Sequence, residues 1–150
     1  MKKVRLALRL CVMVGLILSM GVGAAWAARI AVKSDIANMR FGPGTDHEVL
    51  WQVEKYHPFI VMDRKGKWIK VKDYEGDQAW VHESIVSAKV RGVVTVKSKC
   101  NVRNKPSTKG DVKFTVEKGV PFKVLKTQGN WLKIQHADGE SGWIYKTLVW

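Results

Sequence analysis

Cysteine is nearly missing from this sequence. Of the two present, Cys11 falls in an apolar N-terminal run and Cys100 stands alone in the remainder. A single thiol cannot close an internal disulfide, so the fold must hold by packing. Cys100 is then either half of an intermolecular bond or a small buried apolar residue. Metal-ligand spacing is missing too. His47, His57, His82 and His136 are dispersed, with no HxxxH and no CxxC pattern, so neither a metal nor another cofactor is expected. Catalytic signatures are equally scarce. His136 lies downstream of Cys100, but no nucleophile motif surrounds the cysteine. Acid is the scarcer charge, with 13 acidic residues against 26 basic ones.

The N-terminus has a different character. Lys2, Lys3, Arg5 and Arg9 precede an almost wholly apolar or small-residue run from Leu10 to Ala24, and Ala25-Trp26-Ala27 follows. A charged start, an apolar middle and an A-x-A end describe a secretory leader cleaved after Ala27. The alternative is an uncleaved membrane anchor, for which the apolar run barely reaches the roughly 20 residues required. Four of the 26 bases leave with the leader and none of the 13 acids, so the remainder carries +9. A basic exported protein, periplasmic or secreted, meets anionic wall polymers, lipid head groups or acidic partners. Nucleic acid is not an expected ligand behind a leader.

The remainder says the same thing twice. Asn38 set over Asn101 gives an offset of 63 residues that runs without a gap from there to Val86 over Val149. Arg40 falls on Arg103, Pro43 on Pro106, Thr45 on Thr108, Trp68 on Trp131 and Trp80 on Trp143. Upstream, Val32-Lys33-Ser34 matches Val96-Lys97-Ser98 at an offset of 64, which implies one residue lost in a turn. Such self-similarity marks a tandem duplication. Each unit has about 55 residues, near the lower limit for a domain without staples. The expected organisation is a leader over 1–27, a first domain over 28–87, a short linker over 88–92 and a second domain over 93–150.

Within each unit the pattern is β. Lys67 to Lys72 alternates as a half-buried strand should. Glu48–Val53, Phe59–Met62 and Gln78–Val81 read as its neighbours. Lys65-Gly66, Glu75-Gly76, Gln128-Gly129 and Asp138-Gly139 punctuate them as hairpin turns. Nothing supports a helix beyond a single turn. Gly119 suits a positive-φ turn, but Tyr56 holds that place in the first unit, which predicts a different turn there.

The second unit reads Asn101-Val102-Arg103-Asn104-Lys105-Pro106-Ser107-Thr108, then Val116-Glu117-Lys118-Gly119-Val120-Pro121-Phe122. Gly129-Asn130-Trp131-Leu132-Lys133-Ile134 and Gly142-Trp143-Ile144 complete it. The first unit repeats this, with Ala79 for the last Gly. In order and spacing these segments resemble the bacterial SH3 family. The resemblance implies an all-β fold of two tandem small SH3-like β-barrels. It also implies cell-wall targeting, peptidoglycan or peptide contacts, or protein docking outside the cytoplasm. Eukaryotic SH3 domains grip proline-rich helices with a Pro and a Tyr in the last motif. Here His82 and Tyr145 stand at the Pro position and Ile85 and Leu148 at the Tyr position, so that activity is not carried over.

Alternation also nominates a site. Trp68 shares a strand face with Lys70, and Trp131 shares one with Lys133, so both tryptophans face outward. Trp80 and Trp143 lie opposite their apolar neighbours. Two tryptophans per unit could form a platform, joined by His82 and Tyr145, or could equally cover a thin barrel by packing. Arg40 and Arg103 precede the Pro turn, where an anion contact competes with a loop-bracing bond to backbone carbonyls. The expected function is non-catalytic binding of peptidoglycan or an envelope peptide or protein. The alternatives are an assembly subunit on a fixed envelope protein, or a regulator of a wall hydrolase in trans. Neither the ligand's identity nor the oligomeric state follows from the sequence.

Overall fold

The computed structural model describes residues 27–150, so all of the expected leader except Ala27 lies outside the described residues. The first unit runs β1 (Arg29–Val32), β2 (Ile36–Arg40), β3 (Val49–Glu54), β4 (Pro58–Lys65), β5 (Trp68–Lys72), β6 (Gln78–His82), a 3-10 turn (Glu83–Ile85) and β7 (Val86–Ser87). The second repeats it as β8 (Gly92–Val94), β9 (Cys100–Arg103), β10 (Val112–Val116), β11 (Pro121–Gln128), β12 (Trp131–Gln135), β13 (Ser141–Tyr145) and a 3-10 turn (Lys146–Leu148). Each unit is one antiparallel sheet, ordered β3-β2-β6-β5-β4-β1-β7 and β10-β9-β13-β12-β11-β8. The described chain is all-β, in two tandem SH3-like units.

The two-residue period decides which side of each strand is dry. On β5, Ile69 and Val71 are buried while Trp68, Lys70 and Lys72 stay half-exposed, and β12 repeats this with Leu132 and Ile134. The inward residues meet one fully buried phenylalanine in each unit, Phe59 or Phe122, and Phe114 also packs against the second core. Cys100 lies in the second core at the place Ala37 holds in the first, also without exposure. It is a small buried residue and is free of any disulfide.

Three local features differ from the sequence reading. First, the offset stays at 63 upstream. Ala31 pairs with Pro58 and Val94 with Pro121, so Val32 corresponds to Thr95, not Val96, and no residue is lost. Thr95 is fully buried, and its hydroxyl donates to the Glu117 carbonyl at 2.7 Å and accepts from the Val120 amide at 2.9 Å. A threonine with both capacities satisfied has the shape of a valine and keeps its place in the core.

Second, β4 and β11 run past their apolar halves. Each has a register shift, at Val61/Asp63 and Val124/Lys126, after which the strand is exposed and still pairs with its hairpin partner. The exposed half, from Asp63 to Lys65, has no apolar alternation to betray it. It is held by cross-strand bonding, and the bulge turns it away from the core.

Third, Tyr56 adopts the same turn as Gly119. Their φ values are +73° and +89°, and their amides donate at 2.8 Å to the Val32 and Thr95 carbonyls respectively. The turn is fixed by that bond, so the tyrosine carries left-handed strain that glycine avoids. Gly119→Ala is expected to lower stability by about 1 kcal/mol, read as a depressed melting temperature. An unchanged melt would show that this turn relaxes freely.

Candidate functional site

In both units the outward residues of β2 or β9 form one wall of a groove. Ile36, Asn38 and Arg40 alternate along β2 with buried Ala37 and Met39. Asn101 and Arg103 do the same on β9 beside buried Cys100 and Val102, and Lys99 immediately precedes that strand. Across from that wall, antiparallel pairing sets Trp68 opposite His82 and Trp131 opposite Tyr145. The rings meet edge to face, with centroids 5.2 Å and 5.3 Å apart. Edge-to-face packing holds the indole in one orientation and leaves part of it open.

The first groove, of about 380 Å³, is lined by Ile36, Asn38, Arg40, Thr45, Trp68, His82 and Ile85. The second, of about 430 Å³, is lined by Lys99, Asn101, Arg103, Thr108, Trp131, Tyr145 and Leu148. The seven positions correspond one to one at the offset of 63, and four of them hold identical residues. The structure thus joins Arg40, Trp68 and His82 at one groove and Arg103, Trp131 and Tyr145 at the other. Trp80 and Trp143 line neither groove. They sit one cross-strand row away, beside Arg40 and Lys70 and beside Arg103 and Lys133. The pleat advances such a row by about 7 Å, so the second aromatic in the lining of each groove is His82 or Tyr145 rather than a second tryptophan.

The arginines brace their loops. Arg40 Nη1 donates to the Thr45 and His47 carbonyls at 3.2 Å and 2.8 Å, and Arg103 Nη1 donates to the Gly110 carbonyl at 2.8 Å. These bonds set Thr45 and Thr108 on the groove wall. A guanidinium has five N–H donors, so Nε and Nη2 keep donors to offer the groove. His82 Nδ1 accepts from the Ser84 amide at 3.2 Å, and Tyr145 Oη accepts from Asn130 Nδ2 at 3.2 Å. Residue reasoning had missed Asn38, Asn101, Thr45 and Thr108 as site members. Their signal was present, since each is identical between the units.

No nucleophile–base pair forms between Cys100 and His136. Burial pushes the Cys100 thiol up, away from the thiolate, and its sulfur points at the Lys97 and Leu148 carbonyls. His136 Nδ1 instead pairs with Asp138 at 3.0 Å. Among the described residues no group of three His, Cys, Asp or Glu side chains could hold a metal ion.

Residues 33–88 and 96–150 each match the bacterial SH3 domain pattern. The chain belongs to the bacterial SH3 domain family. It is 20% identical over 128 residues to the putative N-acetylmuramoyl-L-alanine amidase YrvJ of Bacillus subtilis, covering 79% of this chain and 24% of that one. It is 41% identical over 46 residues to the probable cell wall amidase LytH of Staphylococcus epidermidis, covering 30% of this chain and 16% of that one. The chain therefore spans a minor part of the curated relatives it matches. Among solved structures it resembles an NlpC/P60 family protein from Bacillus cereus at 14% identity and a TM-score of 0.40, covering 81% and 55% of the two chains. It also resembles NlpC1 from Trichomonas vaginalis at 11% identity and a TM-score of 0.38, covering 91% and 50%. Those two likenesses are too distant to bear on function.

The most perturbed histidine of this bacterial SH3 pair lies outside both grooves. His57 is buried between Phe59 and Tyr74, and its Nε2 has no hydrogen-bond partner among the described residues. Burial lowers its pKa to about 4, against a smaller opposing pull from Glu75. Below the unfolded value of 6.5 the unfolded chain binds the proton and the folded one resists it. Stability is therefore fully present above pH 6.5 and is lost as pH falls toward 4, by up to about 3 kcal/mol. His57→Val, which installs the residue found at the equivalent Val120, should flatten that part of the profile. Urea midpoints between pH 4 and 7 test this. A wild-type profile unaltered by the substitution would place the pH dependence elsewhere.

Proposed function

We propose that this chain is an exported, non-catalytic binding protein that contacts cell-envelope material, peptidoglycan or an envelope peptide, through one groove on each SH3 unit. The observation that carries this reading is the recurrence of the lining. Four of the seven positions are identical between the units, and all four are groups suited to a peptide or sugar: an indole, a guanidinium, an amide and a hydroxyl. Packing needs alone would preserve Phe59, which is inside and recurs as Phe122. They would not preserve Asn38, Arg40, Thr45 and Trp68 together on an outer wall.

Two further features support the reading. The leader pattern and the +9 balance suit a compartment rich in anionic polymer. The relatives sharing these SH3 units carry names of wall amidases. In this reading the tryptophans stack on the ligand while the arginines and asparagines orient it.

Co-sedimentation with purified sacculi tests the reading. The Trp68→Ala/Trp131→Ala pair should lose at least tenfold in capture, because an aromatic anchor contributes about 2 kcal/mol or more. Each tryptophan is only half-buried, so the stability cost per site should stay well below the about 3–5 kcal/mol of a buried tryptophan. Adding about 0.3 M salt should weaken wild-type capture only in part, since screening acts on charge and not on stacking. Failure of the wild-type protein to sediment would favour an assembly subunit docked on a protein. Undiminished capture by a folded double variant would place the site elsewhere.

A further inference from the structure

Three of the seven groove positions have diverged, and one divergence changes charge. Ile36 of the first groove is Lys99 in the second, while His82 becomes Tyr145 and Ile85 becomes Leu148. The substituted position, the first residue of β2 in one unit and the residue just before β9 in the other, is followed two and four residues later by the shared asparagine and arginine. The first groove therefore has Ile36, Asn38 and Arg40 along one wall, and the second has Lys99, Asn101 and Arg103.

Lys99 is exposed and enters no ion pair among the described residues. The nearest acid by register is Glu117, next to Val116, which pairs with Cys100. Glu117 does not line the groove. Two cations thus bracket an asparagine on one wall, with no carboxylate on the lining and an edge-held indole opposite. The first groove has a single arginine, already committed through Nη1 to two carbonyls, and an isoleucine 58% exposed where the lysine would be. Ile36 presents apolar surface to whatever enters.

Resting on the reading of the grooves as wall-ligand sites, we infer that they have divided one ligand chemistry between them. The second groove is a carboxylate subsite for an acidic peptide segment, and the first takes an uncharged segment. Lys99 supplies the point charge, Arg103 the directional donors and Trp131 the stacking face. Ile36 in the first groove replaces charge attraction with apolar contact. Such a pair holds a peptide-bearing polymer by two unlike contacts on one chain, which raises avidity and restricts which segments satisfy both.

The test uses ¹⁵N-labelled protein and muramidase-solubilised peptidoglycan fragments, either native or with their carboxylates converted to primary amides. The indole N–H resonances of Trp68 and Trp131 report on the two grooves separately. Amidation should raise the half-saturating fragment concentration at Trp131 at least fivefold and at Trp68 less than twofold. Lys99→Ile, which places the first unit's residue in the second, should remove the difference at Trp131. Ile36→Lys should create it at Trp68. Equal sensitivity of both indoles to amidation would overturn the division while leaving both grooves as binding sites. A Trp131 response lost in Lys99→Ile but indifferent to amidation would assign Lys99 to a neutral acceptor on the fragment and overturn the carboxylate. If native fragments move neither indole, the underlying reading fails, and this inference fails with it.

Discussion

Everything in each unit follows from the strand that places Ile69 and Val71, or Leu132 and Ile134, on the dry side of its sheet. A domain of about 55 residues has room for one small core, centred on one fully buried phenylalanine among aliphatic residues. Once those inward positions are spent, period-two geometry sends Trp68 and Trp131 to the other face. A cross-strand partner then meets each indole at its edge, and the arginine of the next strand pins the loop that closes the groove. The face that carries the groove is thus the reverse side of the core. Disturbing Ile69 would move Trp68 even though the two side chains point in opposite directions.

The same logic explains what was legible in the sequence. Alternation at Trp68–Lys72 and Trp131–Gln135, the glycine turns and the gapless repeat were enough to give all-β units and to place both tryptophans on the outside. The exposed halves of β4 and β11 were hidden because cross-strand pairing holds them, and polar residues such as Asp63 and Arg64 give no apolar period. Tyr56 misled because propensity assigns left-handed turns to glycine, while the Val32 carbonyl imposes that turn whatever the residue. Thr95 was hidden because a local Val-Lys-Ser match one residue off looked better than the true register, in which a satisfied hydroxyl replaces a methyl.

For the site, residue type was a poorer guide than recurrence. Trp80 and Trp143 were nominated for being tryptophans facing outward, yet they lie one row from the groove. Asn38 and Thr45, unremarkable alone, belong to it. A duplication carries its own internal comparison: what stays identical on an outer wall is held by something other than the core, and what changes, as Ile36 and Lys99 do, marks where the two grooves differ in chemistry. The strained turn at Tyr56 and the buried, unpartnered His57 both fall in the first unit. Its counterpart has Gly119 and Val120, so the second unit carries neither the strained turn nor the buried imidazole at these two positions.

The central claim is that the two equivalent grooves are the binding faces. A crystal structure of the protein with a soluble wall fragment tests it most directly. The account predicts fragment density against the indoles of both Trp68 and Trp131, within reach of Asn38 and Arg40 in one unit and Asn101 and Arg103 in the other. Density confined to the cleft lined by His57, Lys118 and Val120, with both indoles bare, would contradict it.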